Sequence, residues 1–215
     1  MRGRATVERL KASPDGVMGH KIEILATLTR LRQVCCHPTL VGGRDGLGSG
    51  KFDALFEILE PLLAEGRKVL VFSQFVECLK LLAADIKTRG IGYHVLTGAT
   101  TRREAVVTAF ETDPKPCVFL ISLKAGGAGL NLTAASYVVL FDPWWNPAVE
   151  AQAIDRAHRI GQTRTVIASR MIAAGTLEEK IWELQQRKAA LVADVLGEDG
   201  FARSLTQKDL DYLLG

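Results

Sequence analysis

Residues 122–164 read SLKAGGAGLNLTAASYVVLFDPWWNPAVEAQAIDRAHRIGQTR. The run that feeds them, CVFLIS (117–122), is apolar up to its final serine, the pattern of a strand buried on both faces. It passes directly into Gly126, Gly127 and Gly129. With no Cβ, the backbone there can turn left-handed and bring successive amides close to an anion. Ligands of open parallel sheets bind beyond the carboxyl ends of the strands, so the loop is placed for a phosphate; a ligand-free turn into a helix is the other reading. YVVLFD (137–142) is a second apolar strand, ending in Asp142-Pro143-Trp144-Trp145-Asn146-Pro147. Two prolines stiffen that loop. Its adjacent indoles cannot both pack on one surface, so one is a candidate stacking face for a base or sugar; alternatively, both plug the gap between loop and helix. From Ala148, AVEAQAIDRAHRIGQ holds good helix formers and no glycine before Gly161. On a helix, Gln152, Arg156 and Arg159 fall at i, i+4 and i+7 and share a face. Planar guanidiniums beside a phosphate site suit phosphoryl transfer, whereas pairing with Glu150 and Asp155 would make the same face merely solvated.

Around this stretch, strand and helix patterns alternate. KVLVFS, YHVLTG, CVFLIS, YVVLF and TVIASRMI are apolar runs separated mostly by helical segments such as FVECLKLLAADIKTRG and TRREAVVTAFET. That alternation predicts a doubly wound, mainly parallel α/β sheet with helices on both faces and right-handed crossovers. Ser73-Gln74 and Thr97-Gly98 follow strands and so share the carboxyl rim with the glycine loop. Their hydroxyls and amides could take nucleic-acid phosphates or could simply cap helices. Lys124 is the basic residue closest to the loop.

Before the sheet, the basic residues 1–20 are interrupted by Ser13-Pro14-Asp15-Gly16 and read as a mobile start. A helical stripe of Ile24, Leu25, Leu28, Leu31 and Val34 then runs up to Pro38. VGGRDGLGSGK (41–51) superficially suggests a phosphate-binding P-loop. Asp45 stands where its first glycine should be and Phe52 where a magnesium-binding hydroxyl should be, so it reads as a flexible linker. The helix KFDALFEILEPLLAEG follows, with Phe52, Leu55, Phe56 and Leu59 on one side and Gly66 as its stop. Near the end, Thr176 and an acidic turn predict the cap of a long helix, and SLTQKDLDYLLG is a short amphipathic one.

The 215 residues suit one large domain or two small ones, with ample length for a core. A formal net charge of only +3 means that nucleic-acid contact must come from local placement of Lys and Arg. Four cysteines without a C-x-x-C pair read as reduced thiols of an intracellular protein. Cys35-Cys36-His37 lacks the second ligand pair of a metal site. No stretch reaches membrane-spanning length and no targeting peptide is visible.

In this order and at these separations, AGGAGLNLTAA, DPWWNP and QAIDRAHRIGQ resemble motifs five and six of the Swi/Snf-type DNA-dependent ATPases of helicase superfamily two. LRQVCCHPTLV, SGKFDAL, KVLVFSQF, LTGATTRREAVVTAF and GTLEEKIWELQQRK extend the resemblance over nearly the whole chain. It implies the second RecA-like lobe of a double-stranded DNA translocase that displaces or remodels DNA-bound proteins. The expected division is a helical linker and flexible loop over 1–50, the lobe over 51–175, and a brace helix and tail over 176–215. By the same resemblance, Arg156 and Arg159 are arginine fingers, and Gly127, Gly129 and Gln152 face the nucleotide. Ser73, Gln74, Thr97, Gly98, Lys124 and Trp145 contact DNA, Trp145 near the minor groove. The chain contains neither a G-x-x-x-x-G-K-[ST] sequence nor a D-E-x-H-type segment. ATP and Mg2+ are therefore expected to be held mainly by a first lobe of the same protein, and the fragment alone is expected to be nearly inactive. The implied setting is intracellular and DNA-associated. A non-catalytic interaction module with the same fold is the alternative. An RNA helicase lobe is a third reading, which Gln162 opposes by standing where RNA helicases commonly repeat an arginine.

Overall fold

The computed structural model describes residues 21–43, 46–126, 129–159, 161–192 and 205–214. The basic start, Asp45 and Gly127 lie outside them. Five strands, β1 (Val69–Ser73), β2 (Tyr93–Leu96), β3 (Val118–Ser122), β4 (Tyr137–Leu140) and β5 (Ile167–Arg170), form one sheet in the order β2-β3-β1-β4-β5. Every pairing is parallel, so the expected α/β class holds and its sheet is wholly rather than mainly parallel. Helices α1 (Lys21–Cys36) and α2 (Gly50–Ala64) precede β1, and α3 (Val76–Thr88) and α4 (Arg103–Thr112) alternate with the next strands. The single turn α5 (Leu123–Gly126), α6 (Pro147–Asp155), α7 (Leu177–Val192) and α8 (Gln207–Leu214) follow.

Because side chains alternate along a strand, β1 feeds two cores. Val69 and Val71 pack with Phe52, Leu55, Phe56 and Leu59 of α2 and Cys78, Leu79, Leu82 and Ile86 of α3. Leu70 and Phe72 face the opposite side with Phe110 of α4, Phe119, Ile121, Leu140 and Trp144. Both faces are covered, which is why these strands read as continuous apolar runs. A third core lies outside the sheet, where Ile24 and Leu28 of α1, Leu177, Ile181 and Leu184 of α7, and Leu205, Leu210 and Leu213 at the end of the chain enclose Trp145.

Local signals place the helix ends. Ser49 accepts from the Phe52 amide at 3.4 Å and donates to the Cys36 carbonyl at 2.7 Å, so one hydroxyl caps α2 and ties it to α1. Gly66, at φ +74°, closes that helix as predicted. Thr176 accepts from Glu178 N at 3.2 Å, while Glu179 reaches back to Gly175 N at 2.9 Å, a capping box displaced by one residue. The stripe expected on α1 needs correction. Val34 is exposed, and the buried edge runs Ile24, Leu28, Arg32, Cys36, one residue every fourth position. An arginine replaces an aliphatic residue in the stripe because it has buried polar partners, described below. No helix among the described residues is long and apolar enough to cross a membrane.

Candidate functional site

The carboxyl ends of β1 and β4 meet at Asp142, which is buried. Ser73 Oγ donates to its Oδ1. The Gln74 side-chain amide donates to Oδ2 at 2.8 Å, with the Gln74 backbone amide at 3.4 Å. Arg32 comes in from α1: its Nη1 donates to Gln74 Oε1 at 3.1 Å, its Nη2 donates to the Pro143 carbonyl, and Nη2 lies 3.8 Å from Asp142 Oδ2. The guanidinium also lies 5.0 Å from the Trp145 ring centroid and 5.5 Å from that of Phe75. Burial pushes the Asp142 carboxyl above its usual range, and Arg32 and the Ser73 hydroxyl pull it back.

The same geometry gives the surroundings of three residues expected at the DNA. Ser73 is fully buried, and its hydroxyl is spent on Asp142 and on the Phe75 amide, 3.1 Å away. It braces the loop from inside. Trp145 is 4% exposed and Trp144 is 3% exposed. The indoles do point apart, and each enters a core of its own, Trp145 among residues of α1, α7 and α8. Gln74 is half-buried with both ends of its amide engaged, so it too works as a brace.

The loop after β4 is pinned from the helix side. Glu150, buried in α6, accepts from Trp144 N at 2.9 Å and from Arg170 Nε at 2.6 Å. Asn146 accepts from Ala148 N at 2.9 Å, and Pro147 opens α6 where no amide is needed. Lys51 is buried against Glu178, its Nζ 2.6 Å from Oε1. In the false P-loop, therefore, the lysine is already neutralised and Ser49 serves as a helix cap.

The helix predicted to carry Gln152, Arg156 and Arg159 on one face stops at Asp155, with Arg156 as its C-cap. The physical reason is capture of the next carbonyls from outside the helix, by Leu132 in the loop between β3 and β4 and by Gln162 further along the chain. Leu132 N donates to the Arg156 carbonyl at 2.9 Å. Gln162 Nε2 lies within donor distance of the carbonyls of Ala157 (3.1 Å), Thr133 (3.1 Å) and Ala135 (2.9 Å). Arg159 thus leaves the helix face and reaches the glycine loop, its Nη1 donating towards the carbonyls of Gly129 (3.1 Å) and Leu130 (3.3 Å). Gly129 there has φ +54°, a conformation that favours glycine.

Arg159 is exposed and lines a cavity of about 740 Å³ with Asn131, His158, Gly161, Gln162 and Arg164. Two arginines and a histidine around an open depression suit an anionic ligand. Arg156 is half-buried and Gln152 exposed; neither lines this cavity. Thr97 is half-buried in a turn closed by Thr100 N to the Thr97 carbonyl at 3.1 Å, while Gly98 and Lys124 are exposed. Since Leu96 pairs with Ile121, Thr97-Gly98 and Lys124 lie at neighbouring strand ends.

Sequence reasoning missed Arg32, Arg170, Arg164, Asn131 and the Lys51–Glu178 pair, and it offered Glu150 as a surface partner of Arg156 and Arg159 where the structure buries it against Trp144 N and Arg170. No periodicity joins residues as far apart as Lys51 and Glu178. The fourfold spacing of Ile24, Leu28 and Cys36 could have drawn attention to Arg32 as the polar member of an apolar edge.

Residues 50–161 match the family of the helicase conserved C-terminal domain. An uncharacterized ATP-dependent helicase of Mycoplasma pneumoniae is 41% identical over 192 residues, which is 87% of this chain and 18% of the relative. Among solved structures, the C-terminal domain of the Sulfolobus solfataricus SWI2/SNF2 ATPase is 34% identical with a TM-score of 0.75, over 99% of this chain and 90% of that one. The core of the Sulfolobus solfataricus SWI2/SNF2 ATPase in complex with dsDNA is 35% identical with a TM-score of 0.78, over 99% of this chain and 46% of that one. The chain spans 18% to 20% of the length of the first curated relatives it matches.

Proposed function

From the premise that the chain belongs to the helicase conserved C-terminal domain family, in its Swi2/Snf2 branch, we propose that it is the second motor lobe of an ATP-driven double-stranded DNA translocase. The observation that carries this reading is Arg159, exposed and anchored through one nitrogen to the Gly129 and Leu130 carbonyls. Its other donors remain available to an anion arriving at the glycine loop. A phosphoryl group in transfer spreads charge over its equatorial oxygens, and a planar guanidinium held in place lowers the cost of that charge. Arg159 is the principal arginine finger in this scheme and Arg156 the second. Gly127, Gly129 and Gln152 border the nucleotide, while ATP and Mg2+ are held mainly by an N-terminal RecA-like lobe of the same protein.

DNA runs over the exposed strand ends that carry Thr97, Gly98 and Lys124, where contacts to the phosphate backbone position the duplex without reading its sequence. Ser73, Gln74 and Trp145 act one layer behind, holding that surface in shape. In this scheme residues 1–50 link the lobes, 51–175 form the working lobe, and 176–215 brace it. Nucleotide-driven closure against the first lobe advances the protein along duplex and displaces proteins bound to it.

The test is ATP hydrolysis by the 215-residue chain alone and joined to its upstream lobe, each with and without duplex DNA. Turnover only in the joined form, stimulated by duplex, is the expected result. Turnover by the chain alone would mean a nucleotide site complete within it. No turnover in the joined form would leave an interaction module that keeps the fold but not the cycle.

A further inference from the structure

At the opposite, amino-terminal end of the sheet, three side chains with different donor atoms converge. His94 lies in the edge strand β2 and is in register with Phe119 of β3. Residues in register, and those two positions away, share a face of a parallel pair, so His94, Phe119 and Cys117 point to one side. On that side packs α4, whose C-cap is Asp113. His94 Nε2 stands 3.4 Å from Asp113 Oδ2. One donor atom from each of His94, Asp113 and Cys117 lies within 4.8 Å of the others.

From this convergence we propose that His94, Asp113 and Cys117 form a zinc site unconnected with the motor cycle, the three residues supplying nitrogen, oxygen and sulfur ligands and water the fourth. Tetrahedral zinc with the usual bond lengths holds its nitrogen and oxygen ligands about 3.3 Å apart and sulfur about 3.6 Å from either. The His94–Asp113 separation already meets that requirement, and closing the sulfur distance takes at most a shift of about 1 Å. As a hydrogen bond the same separation is long.

The ligands are also oriented from behind, as metal ligands need to be. Asp113 Oδ1 accepts from Lys115 N at 2.9 Å, which turns Oδ2 towards His94. The imidazole stands edge to face with Phe110 and Phe119, at centroid distances of 5.9 and 6.1 Å. Lys68 holds the end of α4 in place, donating to the Phe110 carbonyl and lying 3.2 Å from that of Glu111. The donor set of imidazole, carboxylate and thiolate fits Zn2+ better than hard cations, which prefer oxygen alone. Bound there, zinc would tie an edge strand to its neighbour and to α4.

The experiment is titration of the 215-residue chain with Co2+, whose thiolate charge-transfer absorption reports a Co–S bond, followed by displacement with Zn2+. The expected result is one equivalent of Co2+ bound with that band, its loss in Cys117→Ser, and affinity weakened about tenfold or more in Asp113→Asn, at least the loss typical of a second-shell change. Cys35→Ser, at the half-buried thiol elsewhere in the chain, should leave the band intact. Should Cys117→Ser fail to fold, His94→Ala on the half-exposed edge strand decides: it too must weaken binding about tenfold or more. The proposal is overturned if wild-type protein shows no charge-transfer band with Co2+, or if the band keeps its strength and affinity in Cys117→Ser or His94→Ala.

Discussion

Arg32 and Arg159 both serve loops at strand ends, but they meet different surroundings. Arg32 is 1% exposed and spends its donors on Gln74, Pro143 and the neighbourhood of Asp142. Arg159 is exposed and touches only two carbonyls of the glycine turn among its described contacts. The first has been taken out of water, so its charge makes sense only with the partners that compensate it. The second remains solvated and can exchange water for a ligand at little cost. The buried arginine therefore maintains the shape of the site, and the open one is available to do chemistry there. The same division separates Trp145, enclosed by helices, from Lys124, exposed two residues beyond β3.

The strongest test of this division is Arg159→Ala in the joined, two-lobed protein. Turnover should fall by about a thousandfold or more, with DNA affinity nearly unchanged and stability altered by about 0.5 kcal/mol or less. Steady-state ATPase, a DNA-binding isotherm and a urea melt of the same preparation measure all three; normal turnover removes Arg159 from the catalytic role. Arg32→Ala should do the reverse. Leaving Asp142 buried without its cation should cost about 3–5 kcal/mol, read as a large drop in the urea midpoint of the 215-residue chain. A midpoint unchanged by the substitution would show that the Arg32–Asp142 contact carries no stability.

A smaller effect distinguishes the two arginines by pH. The folded-state pKa of Asp142 is raised by burial, so between its unfolded value and this raised value the native state binds the extra proton. Its contribution to stability is complete below the ordinary carboxylate pKa of about 3.9 and declines as pH rises through the folded value. Removing Arg32, which lowers that value, should steepen the decline. The stability gap between wild type and Arg32→Ala should therefore widen with rising pH across the carboxylate range, whereas the gap for Arg159→Ala stays flat. Parallel stability curves for wild type and Arg32→Ala would contradict the assignment. Smallest of all, Lys124→Ala should weaken duplex binding in the joined protein irrespective of sequence and reduce the slope of log affinity against log salt by about 1. An unchanged salt slope would take Lys124 out of the DNA contacts.

Much of the fold was legible because its signals are local. Apolar runs at β1, β3 and β4 announce strands covered on both faces, Gly66 and Thr176 mark helix ends, and DPWWNP announces a rigid loop. The site was less legible wherever a partner distant in sequence decides. Arg156 and Arg159 read as one helical face until Leu132 and Gln162 claim the carbonyls that would have prolonged α6. Trp145 read as an available indole because nothing in the loop itself shows that α1, α7 and α8 cover it. Ser73 read as a rim hydroxyl because Asp142, which occupies it, follows β4, the neighbour of β1 in the sheet but three strands later in sequence.

By itself, then, the amino-acid sequence determined the parallel α/β class, the strands and main helices, the glycine loop, and through its motifs the family. Periodicity and turn chemistry act over a few residues and survive without tertiary context. Only the tertiary structure decided which charges are buried and which are open. Burial of Arg32, Asp142, Lys51 and Glu178 depends on contacts across the whole chain, and the energy of a charge is set by the partners and water around it rather than by its position in the sequence.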